Sequence, residues 1–206
     1  MSSRTPFVLA ASLWTACAHA PYPAPASSIG LALGPWPVYW SVECGVGSSI
    51  RDSARAAFVY WDNVLAGENF REDNHCWVAA ERGSILVAQS FSSHPTTSEG
   101  EVVFATAHRM YWRLGGIAGG TILVYPEFAL GEGTKLHANV LSHEIGHILG
   151  LNHTIYPDCL MYPMIPVGDR RRYANETKHL CRAELAVLGR HYRLQKIGGE
   201  TSHVAE

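Results

Sequence analysis

Charge is scarce in this chain and neither sign dominates. Charged residues make up 17% of 206, and 16 Lys+Arg against 18 Asp+Glu leave a formal net charge of −2. No half is strongly basic, which excludes nucleic acid as the main partner. Arg170-Arg171-Arg172 is a local exception, but three charges without interleaved aromatics read as a solvated loop and not a groove. Long apolar runs are missing too. Phe7 to Ala18 is well short of the roughly twenty residues a membrane-crossing helix needs, and no later segment is longer and as apolar. A transmembrane span is excluded. No internal repeat is visible, which sets aside repeat architectures. What remains is a composition with 47% hydrophobic residues, enough for one globular domain with a proper core and too little chain for two.

Arg4 followed by the apolar stretch Phe7 to Ala18 has the layout of an export signal, so residues 1–20 are read as a signal peptide. Thr15-Ala16-Cys17 resembles the lipobox of bacterial lipoproteins, with Trp14 where that pattern has leucine; the resemblance implies a lipid anchor on Cys17. Cleavage near Ala18-His19-Ala20 is the alternative, with Pro21 following. The expected location is therefore secreted or outer-surface and lipid-anchored. Five cysteines are an odd set for an exported protein, and removing Cys17 leaves Cys44, Cys76, Cys159 and Cys181. Three pairings are open to these, of which proximity favours Cys44–Cys76 and Cys159–Cys181.

Residues 21–34 form a stiff Pro/Ala-rich tether. Strands are predicted at Trp36 to Val42, Ile85 to Ala88, Val102 to Thr106 and Thr121 to Tyr125, separated by glycine-rich turns. A first helix is expected after Ser48/Ser49 as caps, with Ile50, Ala54, Ala57, Phe58, Trp61 and Leu65 on one face and Gly67 as its stop. A second runs from about Thr134 to Leu149, burying Leu136, Val140, Leu141, Ile145 and Ile148, and ends at Gly150. A third, near Cys181 to Tyr192, carries Leu185 and Leu188. This order predicts an α/β or α+β fold with one sheet.

Within the second helix and its end the chain reads HEIGHILGLNH, residues 143–153. Positions four apart on a helix lie above one another, so His143 and His147 share a face and can reach one metal ion. Gly150 allows the backbone to reverse there, which brings His153 to a third coordination position. Three imidazoles leave zinc one open place for water, the catalytic arrangement rather than the closed structural one. Bound water then has a pKa near 7, and Glu144 is the expected general base. Five specified residues at fixed offsets arise by chance at on the order of one start in three million.

HExxHxxGxxH resembles the metzincin zinc peptidases, and Leu160-Met161-Tyr162-Pro163 is similar to the Met-turn of their matrixin branch. Thr154 stands where matrixins tend to have serine. The resemblance implies a zincin/metzincin fold: one twisted mixed sheet with an active-site helix and a C-terminal helix. It implies a catalytic domain over 35–195 with a tail at 196–206, and one catalytic Zn2+ on His143, His147 and His153. Met161 is implied as an apolar floor beneath the zinc, and Tyr162, directly after it, is not a ligand. The close likeness covers residues 136–163. No histidine and aspartate set for a second zinc is recognisable; His75, His94 and His108 read as surface or loop residues, and no calcium loop is legible. Cys44-Gly45-Val46 is similar to the cysteine switch of matrixin propeptides, but it follows a strand of the domain and reads as a disulfide cysteine. An inhibitory propeptide is therefore not expected.

The function expected is a monomeric zinc endopeptidase acting on peptide or protein substrates. Substrate is expected to lie along an exposed strand edge at Ile117 to Tyr125, touching Ile122, Tyr125 and Pro163. The specificity pocket would lie between His147 and Met164-Ile165-Pro166-Val167. Two other classes fit less well: a non-catalytic surface protein that keeps the zinc for binding a partner, and a zinc hydrolase acting on something other than peptides. Glu144 weighs against the first, because a binding module needs the ligands but not the base.

Overall fold

The structure, a computed structural model, describes residues 37–81, 83–90, 103–111, 117–125, 134–163, 176–192 and 194. The expected signal segment, the tether, the tail, His94, the arginine run and the 164–167 segment lie outside them.

Among the described residues five strands form one mixed sheet in the order β2-β1-β3-β5-β4. They are β1 (Val38–Val42), β2 (Phe70–Glu72), β3 (Ser84–Gln89), β4 (Ala105–Tyr111) and β5 (Ile117–Val124). β1 pairs in parallel with β2 and β3, and β3 in parallel with β5. β4 alone runs antiparallel, against β5. β2 is three residues long, too short to show an alternation in the sequence.

Two strand expectations need correction. Ile117 to Tyr125 is not an exposed edge: β5 is hydrogen-bonded on both sides, and its run IAGGTILV is largely buried. Strands covered on both faces read as continuous apolar runs, and the glycines inside this one look like a turn when only the sequence is seen. They are there for contact. A Cβ on Gly119 would run into the Ser84 carbonyl of β3, and one on Gly120 would lie 2.9 Å from Ile148 Cδ1. The edge on this side is β4, which starts at Ala105 and continues five residues past Thr106 to Tyr111. Its polar members His108 and Arg109 disguise it, yet polar and charged side chains are how natural sheets protect an edge from unwanted pairing.

Helix α1 (Ser48–Val64) follows β1, and its buried residues Ile50, Ala54, Ala57, Phe58 and Trp61 form the face expected. Its N-cap is Gly47, not Ser48 or Ser49, and no side chain caps the end. Ser49 instead accepts the Ser53 hydroxyl at its carbonyl, 2.8 Å away. Phe58 stacks on Trp40 of β1 at a centroid distance of 4.5 Å. Trp61 is fully buried and donates its indole N–H to the Ser142 carbonyl at 3.0 Å. That bond joins α1 to α2 (Thr134–Ile148), the helix that carries the histidines. A short helix α3 (Arg182–Leu188) closes the described chain. Cys44–Cys76 and Cys159–Cys181 are the two disulfides, with Cα separations of 4.8 and 5.3 Å; these are the pairings that proximity favours.

Candidate metal centre

The last turn of α2 builds the site. Gly150, at φ 100°, reverses the chain: its N–H donates to the His147 carbonyl at 3.0 Å and the Leu151 N–H to the Gly146 carbonyl at 2.9 Å. This pair of bonds is the Schellman motif that a glycine in the left-handed region permits. It carries His153 back over the helix end. His143 and His147 are buried and His153 is half-buried. Their ring centroids lie 4.7 to 5.2 Å apart, and one donor atom from each falls within 4.8 Å of the others.

Tautomers follow from the partners. His143 Nδ1 is 2.8 Å from the Leu160 carbonyl and His147 Nδ1 is 2.9 Å from the Leu151 carbonyl. A carbonyl only accepts, so both Nδ1 atoms carry the proton and both Nε2 atoms present a lone pair. Backbone carbonyls are the usual partners that orient metal-binding imidazoles. His147 Nε2 and His153 Nε2 are 3.1 Å apart. Two nitrogens bound tetrahedrally at zinc's usual ~2.0–2.1 Å are separated by about 3.3 Å, so the donor set fits such an ion. Glu144, next to His143, is fully buried.

The segment Leu160–Met161 lies beneath the helix and is held at several points. Met161 is fully buried, its N–H donates to Glu184 Oε1 at 2.9 Å, and its carbonyl accepts the Thr154 N–H at 3.0 Å. Glu184 Oε2 accepts the Cys181 N–H at 2.7 Å, capping α3. Burial pushes the Glu184 carboxyl up, and the two backbone donors pull it part of the way back. Burial likewise raises the Tyr60 hydroxyl, which accepts the Leu180 N–H at 3.2 Å. Neither Glu184 nor Tyr60 stood out in the sequence. Cys181-Arg182-Ala183-Glu184 has the spacing of a capping box, but with cysteine where serine or threonine would signal it. Asn139 also escaped notice; it joins α2 to the segment before α3, donating to Glu176 O at 2.8 Å and accepting from Lys178 N at 3.0 Å.

The substrate-side expectations fare differently from the histidines. Ile122 is fully buried in β5, so it lines the core and no substrate path. Tyr125 is buried as well, its hydroxyl 3.3 Å from Thr106 Oγ1. Pro163 is half-buried, two residues past Met161, and Tyr162 is half-buried beside it. Of the scattered histidines, His75 is 93% exposed by side chain, and His108 is exposed on β4.

A helix with two histidines one turn apart, a glycine reversal and a third histidine define the class of site: a three-histidine group able to hold a metal ion, built on a mixed sheet. The comparisons narrow it. The family model for matrixin, a peptidase family, matches residues 47–179, and the chain belongs to that family. Among solved structures, it is similar to a zinc-dependent peptidase from Methanocorpusculum labreanum, at 13% identity over 73% of this chain and 98% of that one, with a TM-score of 0.47. A likeness at that level adds nothing to the family assignment. No curated protein matches.

Proposed function

We propose that the chain is an exported zinc endopeptidase with one catalytic ion on Nε2 of His143, His147 and His153. The observation that carries this reading is the pair of carbonyls, Leu160 and Leu151, that hold two imidazoles in the ligating tautomer within reach of the third. Zinc, when bound, supplies a Lewis acid that acidifies water and polarises a carbonyl. Glu144 is the group for the proton. Its carboxylate takes one from the attacking water and returns it to the leaving nitrogen, the work of a general acid–base.

The peptide itself lies along β4, whose outer edge is unpaired in the described sheet and offers backbone donors and acceptors to an added strand. Pro163, half-buried two residues past Met161, walls the pocket for the residue beyond the cut. Met161 is the floor and binds no metal. Export rests on the signal-like first twenty residues and agrees with two disulfides, which persist in oxidising compartments. Anchoring through Cys17 belongs to the same reading, as does a monomeric state.

Two variants separate this function from zinc storage or partner binding. Glu144→Ala should keep near-parental zinc while peptide hydrolysis falls by at least ~10²–10⁴-fold. His147→Ala should lose metal and activity together, since two ligands hold zinc far more weakly than three. Zinc analysis and a fluorogenic peptide library on the purified proteins, with a chelator control, give the answer. A parent that holds one zinc and cleaves no peptide would sink the peptidase reading.

A further inference from the structure

Arg109 sits on the edge strand β4, away from the metal-binding motif, and its side chain crosses to the far end of the histidine helix. Its Nε donates to the His147 carbonyl at 2.6 Å and a terminal nitrogen donates to the Leu151 carbonyl at 3.1 Å. The Leu151 carbonyl is the one that accepts His147 Nδ1. We propose that Arg109 is a positioning residue for the metal centre, which orients the His147 imidazole through the Leu151 carbonyl. The proposal rests on the zinc reading above.

The reach is made by a glycine. Arg109 faces Gly120 across the β4–β5 ladder, and at Gly120 the end of α2 presses on the sheet through Ile148. A Cβ there would meet the His108 carbonyl at 2.8 Å and Ile148 Cδ1 at 2.9 Å, so glycine lets the end of α2 lie close to the strand that carries Arg109. Two consequences follow from the contact. First, a cation lies among the last carbonyls of α2, where the helix dipole is negative. Second, the peptide plane after Leu151 is fixed from the sheet, beyond the point where the helix's own hydrogen bonds end. His153 is two residues further on, so the same plane sets its approach. Arginine is required for this geometry, because its planar fork spans two acceptors where an ammonium offers a single point.

A plain helix cap would use the same bonds, so the test must read the metal. Arg109→Met and Arg109→Lys are compared with the parent by chelator competition for zinc, by the visible spectrum of the cobalt(II)-substituted proteins, and by melting of the metal-stripped proteins. Groups that orient a metal ligand typically contribute ~10–100-fold in affinity. Arg109→Met should lose that much, with an altered cobalt spectrum, and Arg109→Lys should fall between the two. If both variants bind zinc as the parent does and give its cobalt spectrum, whatever their melting temperatures, Arg109 is a cap and the proposal is overturned. Should Arg109→Met not fold, Arg109→Lys alone decides: parental affinity and spectrum overturn the two-carbonyl role. A parent without zinc affinity removes the metal reading itself, whereas a zinc-binding parent with unchanged variants removes only this inference.

Discussion

Gly146 matters for what it leaves out. It lies inside α2 one residue before His147, and a Cβ there would sit 2.5 Å from Met161 Sδ and 3.3 Å from Trp61 Cζ2. Alanine normally improves a helix interior over glycine by ~1 kcal/mol. Here the sign should reverse, because the added methyl overpacks against the buried Met161 at a typical cost of ~1–3 kcal/mol. Met161→Ala should lose ~2–5 kcal/mol through a cavity. Combining the two should cost clearly less than their sum, since each relieves the other's defect. Urea unfolding of the four proteins checks this; strict additivity would mean that Met161 moves aside freely. In the sequence Gly146 is an unspecified letter between Glu144 and His147. Its role became legible only once the methionine, distant in the chain, was placed against it.

At the scale of elements, local chemistry was legible and neighbourhood was not. The faces of α1 and α2 and the stop at Gly150 are written in spacings of a few residues, while the disulfide pairings, at separations of 32 and 22, were favoured by proximity among three that stayed open. Strand order is not, because whether β5 or β4 forms the edge depends on partners far along the chain, and the glycines that serve packing look like turns. The capping carboxylate of α3 was hidden for a related reason. Glu184 bonds to Met161, 23 residues away.

That carboxyl yields a pH prediction. Its folded pKa is raised by burial, so the folded state keeps its proton to higher pH than the unfolded chain, where glutamate titrates near ~4.3. Its contribution to stability is therefore greatest in acid and declines as pH rises through the elevated value. Glu184→Gln has no such titration. The stability of the parent relative to this variant should fall between about pH 4 and the raised pKa, as measured by denaturant unfolding of both proteins. A difference that grows with pH would show that the ionised carboxylate is the favoured form.

Across the whole molecule one core joins the sheet, α1 and α2, with Trp61, Phe58 and Ile145 in it. Among the described residues no helix is long and apolar enough to cross a membrane. The covalent map is more divided than the core. Cys44 pairs with Cys76 and Cys159 with Cys181, so each bridge closes its own short stretch and neither spans the histidine helix. One backbone cut between 77 and 158 would leave two fragments held together by packing alone. The stretch after His153 is one exposed place for it among the described residues, with Ile155 83% and Tyr156 57% accessible. A nick there would keep all three histidines on one fragment and send Met161 and Glu184 away on the other. Limited digestion should then give two bands on a non-reducing denaturing gel, and activity should disappear with the intact chain. If the proposed peptidase cuts itself at that loop, the cut would part the three histidines from Met161 and Glu184, an off-switch that touches none of the proposed ligands.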